Sequence, residues 1–246
     1  MADRRVVMVT GSTSGIGRAI ARQCIDSGWA TVVNSRSSAD AGNEFVAGTE
    51  HAIYAQGDVS QAADCDAIVA AAVDRWGRLD ALVNNAATTA LIPHEDVEAV
   101  DAVDAALWRR ILDVNIVGSW QMISTALPAL RQARPGVIVN VASVAGLRPL
   151  GSSLPYAVSK AGLIHMTTLL AKALGPDVLV NAIAPGLIDT PWTADWEQAR
   201  EVVKKVAPLR RPGQPEDVAQ VCDWLLNARY VTGECVAADG GLRLVT

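Results

Sequence analysis

The chain has 246 residues, 50% of them hydrophobic and 19% charged, with a formal charge of -5. That length fits one large α/β domain or two small ones, at roughly 150 residues each, and buries a core without disulfides or metals. The acidic balance argues against a nucleic-acid partner and the apolar content against disorder. No apolar run nears the ~20 residues of a membrane-spanning helix.

Cys24, Cys65, Cys222 and Cys235 form no C-x-x-C pair, and His51, His94 and His165 are equally scattered. The cysteines read as small buried hydrophobes, and no metal site is expected. The apolar stretch Val6–Val9 is too short for a signal peptide, and Thr10-Gly11 ends it, so a soluble cytoplasmic protein with no membrane partner is expected.

Short β-branched runs alternate with stretches of helical period. Arg5–Thr10 reads as a strand, Ile16–Ser27 as a helix, Ala30–Asn34 as a second strand and His51–Gln56 as a third. Gln61–Trp76 reads as a helix, Leu79–Asn84 as a strand, Leu107–Arg131 as one long helix and Gly136–Val141 as the fifth strand. Pro155–Leu174 follows as a helix, Val178–Ala182 as a strand, Pro215–Leu226 as a helix and Glu234–Ala237 as the last strand. Near-continuous apolar strands alternating with helices predict a seven-stranded, mostly parallel, doubly wound sheet with helices on both faces. No linker or repeat divides the chain, so one domain over residues 1–246 is expected. Pro93–Asp104, with five acids, reads as a solvated excursion.

Between the first strand and first helix lies Thr10-Gly-Ser-Thr-Ser-Gly-Ile-Gly17. Gly11, Gly15 and Gly17 would let backbone approach a pyrophosphate, and the helix N-terminus offers unpaired N–H groups and positive potential. The spacing departs from G-x-G-x-x-G, and no Lys-Ser/Thr follows, which excludes an NTPase-type phosphate loop. On its own this could be a ligand-free glycine turn.

TGSTSGIG, Asn84-Asn-Ala-Ala87, Tyr156-x-x-x-Lys160, Pro185-Gly186 with Asp189-Thr190, Pro208–Ala219 and Asp239-Gly-Gly241 resemble, in that order, the short-chain dehydrogenases/reductases. The resemblance spans the whole chain, and its general pattern is most like the 3-oxoacyl-acyl-carrier-protein reductases, a label shared by enzymes of other specificity. It implies a nicotinamide dinucleotide held by Gly11, Ser12, Thr13, Ser14, Gly15, Ile16 and Gly17. Asp58 and Val59 would lie at the adenine, Asn85, Ala86 and Ala87 along the pocket, and Pro185, Gly186, Ile188 and Thr190 at the carboxamide. Ala87 departs from the family's usual glycine. The second strand ends Asn34-Ser35-Arg36-Ser37 without an acid. A guanidinium flanked by hydroxyls suits a 2′-phosphate, so NADP(H) is expected over NAD(H).

Tyr156 and Lys160, four apart on a helix, share a face. An ammonium there would stabilise the phenolate left when Tyr156 gives a proton to a substrate oxygen. Ser143, thirteen residues before Tyr156, could hydrogen-bond that oxygen. Asn115 sits inside the long predicted helix, where an amide has poor propensity. The resemblance makes it the site of a water-held kink joined to Lys160. The set Asn115, Ser143, Tyr156 and Lys160 implies NADP(H)-dependent hydride transfer between nicotinamide and a ketone, aldehyde or secondary alcohol. A nucleotide-binding regulator without chemistry, or a non-redox lyase or epimerase, are the alternatives. A ketone panel tests the first, and turnover without nicotinamide absorbance change marks the second.

Residues 187–205 are expected to form a substrate lid in which Leu187, Trp192 and Trp196 favour a compact apolar carbonyl compound, with Leu91, Ile92 and Leu150 completing the wall. Trp120, Met122, Met166 and Leu169 read as an apolar outer helix face, which with the resemblance predicts a homotetramer.

Overall fold

The computed structural model describes residues 4–92 and 100–245. Seven strands form one sheet: β1 (Val6–Val9), β2 (Ala30–Ser35), β3 (Ala52–Gln56), β4 (Ala81–Asn84), β5 (Gly136–Val141), β6 (Val178–Pro185) and β7 (Cys235–Ala238). Their order is β3-β2-β1-β4-β5-β6-β7, and every pair is parallel, where a mostly parallel sheet was expected. The helices are α1 (Gly15–Asp26), α2 (Ala39–Val46), α3 (Ala62–Trp76), α4 (Ala105–Leu112), α5 (Ser119–Ala133), α6 (Leu154–Leu174), α7 (Glu197–Val206) and α8 (Pro215–Asn227).

The strand pattern explains both cores. Every residue of β1 is buried, and its side chains alternate between faces. Val6 and Met8 join Ile68 of α3 and Met122, Ile123 and Leu130 of α5 in one cluster. Val7 and Val9 join Ile20 and Cys24 of α1 and Cys222 and Leu225 of α8 in the other. Burial on both faces is why these strands read as unbroken apolar runs. Beneath them Asp80 accepts from the Val6 N–H at 2.7 Å and pairs with Arg78 at 2.7 Å, tying β1 to the start of β4. Strand order reverses between β1 and β4, so the ligand crevice opens there, at the carboxyl ends.

Five expectations need correction. Two helices were not foreseen, α2 before β3 and α7 within residues 187–205. The long helix expected over Leu107–Arg131 is instead α4 and α5 joined by a π-helical turn, Asp113–Gly118. Met122 is fully buried rather than on the outer face, because it shares the inner stripe of α5 with Ile123, Ala126 and Leu130, and Met166 packs half-buried against the same core. Trp120 and Leu169 are exposed as expected. Of the acidic stretch Pro93–Asp104, residues 93–99 lie outside the described residues.

Candidate active site

A cleft of about 1100 Å³ runs along the carboxyl ends of the strands. Gly11, Thr13, Ser14, Gly15, Ile16 and Gly17 line it, as do Ser35, Arg36, Ser37, Asp58, Val59, Asn85, Ala86 and Ala87. Pro185, Gly186, Ile188, Thr190, Ser143, Tyr156 and Lys160 line it too. Two of the residues predicted for cofactor binding or catalysis do not. Ser12 is buried, its hydroxyl donating to the Val9 carbonyl at 2.6 Å and accepting from the Asn34 N–H at 3.0 Å. Asn115, 1% exposed, works behind the wall.

The glycine turn is shaped by close approach. Gly11 has φ +59, and a Cβ there would stand 2.9 Å from the Ala86 Cα. At Gly17 a Cβ would lie 2.3 Å from the Gly11 carbonyl oxygen and 2.4 Å from Asn85 Nδ2. Asn34 locks the turn from the second strand: its Oδ1 accepts from the Gly11 N–H at 3.2 Å, and its Nδ2 donates to the carbonyls of Ala55 and Gly57. The Asn85 amide donates to Thr10 and Gly11 carbonyls, both at 2.9 Å. At Gly11 and Gly17 the turn thus presents backbone with no Cβ to the cleft at the α1 N-terminus, a geometry suited to a pyrophosphate.

Arg36 lies at the far end of this cleft, 71% exposed, with Nη1 3.8 Å from Asp58. The Asp58 carboxylate also accepts from the N–H and hydroxyl of Ser60, so it shapes the turn into α3 while still lining the cleft. The Ser35 hydroxyl shares a hydrogen bond with Tyr54 at 2.8 Å and accepts from the Ser38 N–H. The loop carrying Arg36 is therefore fixed, although the guanidinium itself remains open to a ligand.

At the other end, α6 presents Tyr156 and Lys160 one turn apart. Pro155 in the first turn suits a helix start. Lys160 is 3% exposed, donates to the Val141 carbonyl at 2.8 Å and lies 5.6 Å from the Tyr156 ring centre. Burial pushes its ammonium down to about 7. Burial likewise pushes the Tyr156 hydroxyl up to about 12, while a hydrogen bond with Ser143 works the other way. Tyr156 therefore enters neutral solution protonated, beside a base-tunable amine.

Asn115 lies in the π turn that breaks α4 from α5, a feature common at functional sites. Its side chain does not reach Lys160. Oδ1 accepts from the Thr88 N–H at 2.8 Å, and Nδ2 donates to the Thr88 carbonyl at 3.1 Å and to Ser159 Oγ at 2.9 Å. Ser159 in turn donates to the Tyr156 carbonyl at 2.7 Å. The π turn thereby couples the loop after β4 to the helical turn that carries Tyr156. Asn84 braces the sheet below, donating to Asn140 at 2.9 Å.

The remaining wall is mixed, with apolar side chains beside Asp195, Glu197 and Gln198. Trp192 is 45% exposed and meets the Tyr156 ring edge-on, centroids 6.4 Å apart, so it does not pack inward on the fold. Trp196, Leu91, Leu150 and Val202 line the same region. Ile92 does not; its N–H donates to the Ser152 carbonyl. Asp189 is paired with Arg200 at 2.9 Å.

This arrangement has close counterparts. The family profile described as "Enoyl-(Acyl carrier protein) reductase" matches residues 11–243. A crystal structure of a short-chain dehydrogenase/reductase (glucose/ribitol dehydrogenase) from Brucella melitensis is 32% identical at a TM-score of 0.90, covering 97% of this chain and 96% of that one. The chain belongs to the short-chain dehydrogenase/reductase family. A protein of the granaticin polyketide synthase of Streptomyces violaceoruber, assigned as a ketoacyl reductase, is 46% identical over 98% of this chain and 96% of its own length. The 3-oxoacyl-(acyl-carrier-protein) reductase of Thermotoga maritima is 39% identical, with 98% of both chains covered. As a short-chain dehydrogenase/reductase the chain is an oxidoreductase.

Four residues that shape this site escaped the sequence reading: Asn34, Thr88, Ser159 and Arg200. Asn34 alone left a signal, as a polar residue inside a strand buried on both faces. Thr88 contributes backbone groups, and Ser159 lies in a helix position where serine is unremarkable.

Proposed function

We propose that this short-chain dehydrogenase/reductase is an NADPH-dependent ketoreductase acting on a compact, largely apolar ketone or aldehyde. One observation carries the reading: a single cleft joins a backbone cradle and an exposed guanidinium at one end to Ser143, Tyr156 and Lys160 at the other. The side-chain-free approach at Gly11 and Gly17 fits a dinucleotide pyrophosphate, and Arg36 with Ser37 fits a 2′-phosphate. When bound, the dinucleotide supplies the hydride. Ser143 hydrogen-bonds the substrate oxygen, and Tyr156 donates its phenolic proton to that oxygen as negative charge develops. Lys160 holds positive charge beside the resulting phenolate, while Asn115 fixes the backbone turn behind it through Ser159. In alcohol oxidation the same groups run in reverse. A ketone panel followed at the nicotinamide absorbance, with NADPH and with NADH, tests the reading, and no turnover of any carbonyl compound would overturn it.

Arg36→Ala is expected to weaken NADPH binding at least about tenfold and leave NADH nearly unchanged, since a charge-assisted bond to phosphate contributes about 1.5–3 kcal/mol. Titration of both cofactors checks this, and equal losses would make Arg36 structural.

The apolar side chains of that wall support the substrate size. Trp192→Ala should raise the KM for apolar ketones severalfold while moving the KM for NADPH little, because the ring faces Tyr156 rather than the glycine turn. A ketoacyl thioester is the second reading, favoured by the names of the two relatives. A carrier protein would want a basic mouth, yet of Arg200, Lys204 and Lys205 the first is tied to Asp189 and the second to Glu201 at 2.7 Å. Comparing a free ketone with a short β-ketoacyl thioester separates the two.

Exposed Trp120 and Leu169, on α5 and α6, support assembly into a homotetramer through paired helices. Light scattering should give four times the chain mass, and a concentration-independent monomer would refute this. No helix among the described residues is long and apolar enough to cross a membrane, which is compatible with the cytoplasmic setting we propose.

A further inference from the structure

We infer that Arg200 is a positioning residue that sets substrate selectivity from behind the cleft, by clamping the short turn that carries Trp192. Arg200 lies on α7, is 15% exposed and does not line the cleft, so it cannot contact substrate there. Each of its three guanidinium nitrogens nonetheless donates a hydrogen bond. Nε donates to Asp189 Oδ1 at 2.9 Å, Nη2 to the Thr193 carbonyl at 2.6 Å and Nη1 to the Ala194 carbonyl at 2.9 Å. Those two carbonyls close the helical turn Pro191–Thr193, on which Trp192 stands. Asp189 is itself anchored: its Oδ2 accepts from Gln214 at 3.2 Å, and its N–H donates to the Gly213 carbonyl at 2.9 Å. One planar fork therefore binds the tryptophan turn, α7 and the strand-six exit loop into a unit, a task its fixed donor geometry suits and a lysine's single ammonium does not.

The clamp meets the segment proposed to hold the nicotinamide at the Asp189 carboxylate, but that segment has a tie of its own. Thr193 Oγ1 donates to the Ile188 carbonyl at 2.7 Å and accepts from the Thr190 N–H at 3.2 Å, which links Ile188 and Thr190 without the guanidinium. Loss of the guanidinium should therefore free the Trp192 side of the cleft more than the dinucleotide side.

Hydrogen–deuterium exchange of the intact protein tests the clamp without any turnover. In Arg200→Met, peptides covering residues 190–196 should exchange at least about tenfold faster, while those of β5 and α1 stay unchanged. Unchanged exchange in 190–196 would overturn the proposal. The kinetic arm rests on the ketoreductase reading. There Arg200→Met should raise the KM for an apolar ketone severalfold, no further than Trp192→Ala does, with kcat and the KM for NADPH within about twofold, and Arg200→Lys should recover only part of the loss. In the Trp192→Ala background the same substitution should have almost no further effect, because groups acting through one another are non-additive. Additive losses, or full recovery by lysine, would refute action through Trp192. If the parent reduces no ketone, the ketoreductase reading falls, and the exchange comparison still decides the clamp. If Arg200→Met does not fold, Asp189→Asn removes the ionic half and should shift exchange in 190–196 in the same direction, with no shift counting against the clamp.

Discussion

Tyr156→Phe is expected to lower ketone reduction by ~10²–10⁴-fold, the usual cost of losing a positioned proton donor. The substitution deletes one oxygen and keeps the ring, so the edge contact with Trp192 and the Lys160 contact with the ring both survive. Folding and NADPH affinity should stay close to the parent, because the turn holding residue 156 is fixed through its backbone carbonyl by Ser159. The hydroxyl is pushed up to about 12 by burial, so across neutral pH it is a donor awaiting an acceptor, not a phenolate. Single-turnover reduction with prebound NADPH isolates the step. A Phe variant that turns over near the parental rate would show that the proton comes from elsewhere.

What the sequence revealed about this molecule follows from which physical constraints leave a local mark. The strands did, because burial on both faces favours near-continuous apolar, valine-rich runs such as Val6–Val9 and Gly136–Val141. Helix α2 did not: eight residues containing a glycine barely complete two turns of a period. Helix α7 buries only Val203, so its stretch reads as a solvated lid. The break between α4 and α5 leaves no trace in periodicity, since one wide turn only shifts the stripe; the misplaced amide of Asn115 was its one symptom. That same shift put Met122 on the wrong face in the reading. The cleft lining was legible where a motif marks the residue, as at Tyr156, Lys160, Ser143 and the glycine turn. It was illegible where a side chain serves another segment's backbone, as with Ser12 on Val9, Asn115 on Thr88 and Arg200 on Thr193. Such contacts join residues 3, 27 and 7 positions apart, and no local pattern encodes them.

Lys160→Met should abolish most turnover and at the same time raise stability, with a pH dependence that identifies the cause. The lysine is buried, its ammonium is pushed down from 10.5 to about 7 by that burial, and the cation's only described hydrogen bond is to the Val141 carbonyl. Below pH 7 the amine is charged in both native and unfolded chains, so the full desolvation cost falls on the native state. Between about 7 and 10.5 the unfolded chain keeps a proton that the native state has released, so parental stability rises with pH across that window. Above 10.5 both states are neutral and the cost is gone. The stabilisation by methionine, offset in part by the lost bond to Val141, should thus be largest below pH 7 and fade toward pH 10.5. On the proposed ketoreductase reading, activity depends on the same proton. Reduction needs the ammonium to hold the phenolate that Tyr156 becomes, so kcat/KM in the parent should be level below about pH 7 and fall above it. Thermal unfolding of parent and variant at pH 6 and pH 10, beside the parental pH–rate profile, measures both sides of this trade. A methionine variant equally stabilised at both pH values would mean that packing rather than charge burial is responsible, and a profile flat through pH 7 would remove Lys160 from the proton-transfer step.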